Sequence, residues 1–282
     1  MYKNMIRVYE ILMVVMIVVY LCLWYYNNHH KENFDQNRKQ DYFIYANTYD
    51  KIYDDFYGYI YDDLFYQEEY YLAICEILLK YVNHVFNNHL CIGIKHGGHI
   101  NQLLKDNMKT ISVSRSHAVV NVCSYHYKEN QYKFIPDVEN NPYIFDENSF
   151  THISLIDNEL YYLTNLPGFF YNCERWLIFK GYLMIQCYHH KQDLKQAFLK
   201  IGENSSVRTK TIYSHEFKDF QDHISFTLVE TIKEKEKERK HRHSLYFYKK
   251  EYIKQVASEF GFDLLDSLSL SKHETMMVFQ KI

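Results

Sequence analysis

The chain has 282 residues, 47% of them hydrophobic and 24% charged, with a formal net charge of −3. That length suits one mid-sized domain with an appendage, and that composition supports a packed core. The slightly negative charge gives no electrostatic basis for nucleic-acid binding, and no repeat of solenoid period is present. The six cysteines (Cys22, Cys75, Cys91, Cys123, Cys173 and Cys187) form no CxxC pair and mostly lie in apolar stretches. They read as reduced, buried thiols in a cytosol-like compartment rather than as a disulfide framework.

Residues 11–26 form an uncharged apolar run that follows a ten-residue flank, residues 1–10. The run is a little short of the ~20 residues that span a bilayer, but Val8 and Tyr9 extend it if Glu10 snorkels. Trp24, Tyr25 and Tyr26 sit at one end, where amphipathic rings favour the membrane interface. A cleaved signal peptide would need small residues after the run, and bulky aromatics stand there instead. The expectation is a single-pass transmembrane helix whose topology is open, because Lys3 and Arg7 precede it while Lys31, Arg38 and Lys39 follow it. Residues 27–48 read as a polar linker, and the domain is expected over 49–282.

From Tyr49, apolar residues at helical spacing predict two amphipathic helices: Ile52, Phe56, Ile60 and Leu64, then Leu72, Cys75, Ile77 and Leu78. A strand over 90–94 runs into Lys95–His96–Gly97–Gly98 and a helix over 99–106. Further strands are predicted over 109–114, 132–135, 151–156 and 182–188, with helices over 117–127 and 166–177. A helix over 252–260, stopped by Gly261, precedes paired strands over 262–270 and 275–281. This alternation predicts an α/β domain with a mostly parallel sheet and an antiparallel C-terminal hairpin. The charge run Lys233 to His243 reads as a solvated hairpin loop, although its Arg239–Lys240–His241–Arg242–His243 end is basic enough to touch anionic lipid or phosphate.

Several segments carry a family likeness in a consistent order: the Tyr49–Asp50, Tyr53–Asp54, Tyr57, Tyr61–Asp62 array; CIGIKHGGH (91–99); SVSRS (112–116); FTHISLIDNELYYL (150–163); ERWLIFKGYLMIQCY (174–188); and the closing GFDLLDSLSL and VFQKI. On these, the domain resembles a class I S-adenosylmethionine-dependent methyltransferase, in particular the membrane-anchored methyltransferase-domain proteins of large DNA viruses. The resemblance implies a Rossmann-like fold with a seven-stranded sheet, and S-adenosylmethionine as cofactor. It implies cofactor contacts from Tyr49, Tyr53, Gly93, Gly97, Ser114 and Asp137, and a substrate-facing loop carrying Asp157 and Glu159 as catalytic candidates, with Tyr161 and Tyr162 lining the same cleft. It also implies a membrane location, with the soluble domain in a reducing compartment, the host cytoplasm or the virion interior.

The same resemblance exposes losses. Gly93 and Gly97 keep the turn that lets backbone approach a ligand closely, but Lys95 replaces the glycine between them. A cation there would repel a sulfonium. Cys91 stands where the family has an acidic residue, and Ser114 where it has a carboxylate for the ribose hydroxyls. Two lost charged hydrogen bonds would weaken binding by a few kcal/mol, at ~1.5–3 kcal/mol each. Asp157 also reads as a helix cap. His84, His89, Cys91, His96 and His99 lie close in sequence, but no finger-like spacing completes a metal set, and no metal is expected. Two functions fit: a membrane-anchored methyltransferase-like protein with weakened or lost cofactor binding, acting on an unknown acceptor, or a non-catalytic scaffold with protein partners.

Overall fold

The computed structural model describes residues 16–21, 43–57, 68–82, 87–95, 97, 100, 103, 108–127, 131–197, 211–219, 225–234 and 237–282. The chain divides into two units, residues 1–41 and 42–282. In the first unit residues 16–21 are helical and exposed. The expected anchor over 11–26 otherwise lies outside the described residues, and no helix among those described is long and apolar enough to cross a membrane.

The second unit is built on a seven-stranded sheet. Its strands are β2 (Asn88–Ile92), β3 (Lys109–Ser114), β4 (Gln131–Phe134), β5 (Phe150–Leu155), β6 (Leu177–Tyr188), β10 (Phe262–Ser271) and β11 (Glu274–Lys281). They lie in the order β10-β11-β6-β5-β2-β3-β4. β2 pairs in parallel with β3 and β5, and β5 pairs in parallel with β6, whereas β11 runs antiparallel to both β6 and β10. β5 is buried along its whole length, as a strand covered on both faces must be. α2 (Glu68–Lys80), α3 (His117–His126), α4 (Leu166–Trp176) and α5 (Lys250–Glu259) cover the sheet, after a short α1 (Tyr49–Ile52). α3 starts on the side chain of Ser116, which accepts from Val119 N, and α4 on Asn165, which accepts from Gly168 N with Pro167 in the first turn. Phe169, Phe170 and Trp176 on α4 are fully buried, and the Trp176 indole donates to Pro142 O at 2.7 Å.

A second sheet departs from the sequence-based expectation. β1 (Phe43–Ala46), β7 (Thr211–Asp219), β8 (Ser225–Glu234) and β9 (Lys237–Tyr246) form a four-stranded sheet in the order β1-β9-β8-β7. Residues 43–46, placed above in the linker, pair in parallel with β9. The charge run 233–243 is therefore not a solvated loop but the end of β8 and most of β9. Strand alternation sorts its basic residues. Arg239, His241 and His243 point inward and are buried, while Lys240 and Arg242 point outward. The inner face of this sheet, with Phe226, Leu228, Ile232 and Leu245, joins the cores of the domain.

Arg239 pairs with Asp54 and donates to His241 Nε2 at 2.5 Å, whereas Arg242 is exposed. Replacing Arg239 with alanine is therefore expected to cost about 2–4 kcal/mol, against under about 0.5 kcal/mol for Arg242→Ala. Urea unfolding of the two variants measures this, and equal effects would contradict the strand register.

Candidate active-site cleft and its internal cation

The order of the large sheet reverses at β2, whose neighbours β3 and β5 lead away in opposite directions. Open α/β sheets bind ligands outside the carboxyl ends of their strands at such a point. Three segments leave those ends here: Gly93–Lys95 after β2, Arg115 after β3, and Asp157–Glu159 after β5.

Gly93 adopts φ +94°, and a methyl group on it would come within 2.5 Å of Glu159 Cβ and 2.7 Å of Ile156 O. Glycine is needed here because the chain's own Glu159 lies against it. Two residues later, Lys95 turns into the cleft and is 2% exposed. Its ammonium sits 4.0 Å from the ring centre of Tyr53, 4.4 Å from Tyr49 and 5.2 Å from Tyr162, all within cation–π range. It also donates to Tyr49 Oη and lies 3.4 Å from Glu159 Oε2, to which Tyr49 donates at 2.9 Å. Arg115 closes the other side of Glu159, with Nε to Oε1 at 2.5 Å, and reaches Glu139 Oε2 at 2.9 Å. Two cations and two carboxylates thus form one compact network with no net charge, as burial of ion pairs requires.

The electrostatics follow from this arrangement. Burial lowers the Lys95 ammonium below its usual range, opposed by Glu159 and Asp157. Burial would raise the Glu159 carboxyl, but the Lys95 and Arg115 charges and the Tyr49 and Arg115 hydrogen bonds hold it below the ordinary carboxylate range. Burial pushes the Tyr49, Tyr53 and Tyr162 hydroxyls well up, so all three remain neutral.

Of the residues singled out from the sequence, Tyr49, Tyr53, Gly93, Glu159 and Tyr162 come together around Lys95. Ser114 is buried at the end of β3, where its hydroxyl accepts from Ser116 N at 3.3 Å. Gly97 (φ +79°) faces Ile94, Tyr127 and Tyr132 rather than the network. Asp137 is exposed and accepts from Asn140 at 2.7 Å in its own loop. The buried carboxylate of that loop is Glu139, two residues on. Tyr161 turns into the core, with its hydroxyl receiving Tyr188 N at 2.7 Å and its ring stacked on Phe247. Asn158 rather than Asp157 occupies the N-cap position of the following 3-10 turn (Glu159–Tyr162), and its side chain makes no capping hydrogen bond. His89 is held between strands by Thr110 and Ser154 at 3.3 and 2.8 Å, while His84, His96 and His99 lie outside the described residues. The sequence reading missed Arg115 and Glu139, as well as Glu230 and His243 of the small sheet. The small sheet closes over the tyrosines: Tyr162 Oη meets His243 Nδ1 at 2.6 Å and Tyr53 Oη at 3.0 Å.

Asp157 accepts from Tyr71 at 2.9 Å through Oδ1, but its Oδ2 is buried without a partner. Burial raises its carboxyl to about 7, with Tyr71 and Lys95 opposing. A raised acid stabilises the fold at low pH and loses that contribution as pH rises from the unfolded value near 4 to about 7. Asp157→Asn stays neutral at every pH, and asparagine tolerates the left-handed φ of +54°. Its stability advantage over the parent is expected to be near zero at pH 4 and to level off at about 2–4 kcal/mol above pH 7.5. Chemical denaturation across that range measures it, and a pH-independent difference would show that Asp157 is ionised throughout.

No family model and no curated protein matches this sequence. Solved structures do match in three dimensions. A protein from Pyrococcus horikoshii is 17% identical, covering 81% of this chain and 99% of its own, at a TM-score of 0.63. An S-adenosylmethionine-dependent methyltransferase from Clostridium acetobutylicum is 16% identical over 80% and 98%, at 0.60. An amino pentose methyltransferase from Micromonospora echinaspora, solved with S-adenosylmethionine bound, is 9% identical over 80% and 97%, at 0.56. At these identities the likeness establishes architecture, and that architecture is the Rossmann-like fold of class I S-adenosylmethionine-dependent methyltransferases.

Proposed function

We infer that this chain is a membrane-tethered, non-catalytic relative of the methyltransferases, in which a lysine of the chain itself replaces the cofactor's cation. The observation that carries this reading is the Lys95 ammonium, buried among Tyr49, Tyr53 and Tyr162 and neutralised by Glu159. S-adenosylmethionine does not fit the residues present. Its sulfonium would meet a resident cation, and two unit charges 4 Å apart repel by about 4 kcal/mol at an effective dielectric of 20. Glu159 fills the space over Gly93 through which a ligand would approach the backbone. Ser114 offers no carboxylate, and Cys91 is a buried thiol that burial pushes far up its scale, so it supplies no charge either.

The tether is residues 11–26, proposed from their length, apolarity and flanking aromatics. Anchoring suits a scaffold, because a rigid domain held at a surface presents its exposed face to partners without any turnover. The fold is kept because its core does not depend on the cofactor. Trp176, Phe170 and Phe279 are fully buried on the side of the sheet covered by α4.

Thermal denaturation of the full chain in detergent, with and without millimolar S-adenosylmethionine, is expected to show no shift, since a ligand that binds only the folded state must raise its stability. A clear rise would return the chain to the enzymes. The double variant Lys95→Gly with Ser114→Asp is expected to gain a cofactor-dependent shift while losing about 2–4 kcal/mol of intrinsic stability, because Glu159 loses one of its two cationic partners.

A further inference from the structure

We propose that Glu230, His241 and His243 form a closed site for a zinc-class divalent cation, which fastens the small sheet to the tyrosine cage. This site adjoins the tyrosine cage through Tyr162, and its three ligands are not the residues that hold Lys95.

The strand register creates it. Glu230 on β8 is the cross-strand partner of His241 on β9, and His243 lies two residues further along on the same face. The three side chains are 0%, 0% and 1% exposed. One ligand atom from each lies within 4.8 Å of the other two. Glu230 Oε2 is 2.8 Å from His243 Nε2 and 3.5 Å from His241 Nδ1. Neighbouring ligands around a tetrahedral ion with bonds of ~2.0–2.1 Å stand ~3.3–3.4 Å apart, a spacing that lies between these two separations. His241 Nδ1 is buried and meets Glu230 Oε2 at 3.5 Å, long for a hydrogen bond, so its contact there is weak.

The surroundings suit a structural ion. Tyr162 holds His243 Nδ1 at 2.6 Å and so directs Nε2 inward, in the way outer contacts orient ligating imidazoles. The Tyr57 hydroxyl, 3.3 and 3.4 Å from the two Glu230 oxygens, marks the side on which a fourth ligand, a bound water, completes the tetrahedron. Two nitrogens and one carboxylate favour zinc over the oxygen-seeking magnesium and calcium.

Arg239 governs the proton balance. Its Nε donates to His241 Nε2, so in the metal-free protein the ring carries its proton on Nδ1. Coordination at Nδ1 moves the ring proton to Nε2, and Arg239 turns its Nε away while keeping its pairing with Asp54. The two positive charges of the ion then meet the Glu230 carboxylate and two neutral imidazoles.

The test uses the full chain, stripped with a chelator, dialysed, and titrated with zinc chloride and separately with cobalt(II) chloride. One ion per chain is expected, with the intense visible bands of tetrahedral cobalt. X-ray absorption is expected to show a nitrogen and oxygen shell containing two imidazoles and no sulfur. Glu230→Gln keeps the side chain's shape and is expected to weaken binding at least about a hundredfold, since even outer-shell losses cost 10–100-fold. Its circular dichroism is compared with the parent to establish that it folds. Absence of stoichiometric binding by the folded parent chain would overturn the proposal. So would sulfur in the metal shell, or unchanged affinity in folded Glu230→Gln. The X-ray absorption result needs no variant, so a Glu230→Gln chain that failed to fold would still leave the coordination shell decisive.

Discussion

The contact on which the cleft depends is the buried ammonium of Lys95 against three tyrosine rings and one carboxylate. A lone ammonium in that position would carry a desolvation cost of several kcal/mol. The structure offsets this cost by concentrating partners on it. Glu159 supplies the charge, Tyr49 bridges the two by hydrogen bonds, and the ring faces of Tyr53 and Tyr162 supply the remaining favourable field. Arg115 and Glu139 extend the balance outward. Each member is held by at least one other, so the network behaves as a unit and single losses leave buried charges behind.

This unit reaches further than the cleft. Tyr162 is shared with His243, and Tyr57 with Glu230, so the small sheet and the carboxyl edge of the large sheet are joined by polar contacts as well as by apolar burial. In an enzyme of this architecture that edge must admit a ligand. Here it is filled by side chains of the chain itself and covered by β8 and β9. The neutral tyrosine hydroxyls and the paired charges give the interior a fixed arrangement with little scope for proton movement, apart from Asp157, whose carboxyl is balanced near neutrality.

The large sheet was legible in the sequence because its strands are apolar and its breaks are marked. KTISVS ends at Ser114, two residues before Ser116, which caps α3, and Gly261 separates α5 from β10. The small sheet was not, and β9 explains why. Its alternation is regular, but arginine and histidines occupy the inward positions that a strand normally gives to apolar residues. Their partners, Asp54 and Glu230, are distant in sequence. Within the cleft, Gly93, Tyr49, Tyr53 and Glu159 were placed by resemblance, and Lys95 was read as an obstacle. That it turns inward and is neutralised depends on the Glu159 carboxylate that Arg115 shares, and the approach of Arg115 is revealed only by the folded chain. Asp137 is exposed in its loop and Glu139 is the enclosed carboxylate, a difference that a loop sequence does not display.

A filled cleft is a statement about occupancy, and a crystal structure grown in millimolar S-adenosylhomocysteine addresses it most directly. The account predicts density for the Lys95 side chain among Tyr49, Tyr53 and Tyr162, with Glu159 against Gly93 and no nucleoside at the carboxyl edge of the sheet. Bound S-adenosylhomocysteine, with Lys95 displaced from the tyrosines, would contradict it.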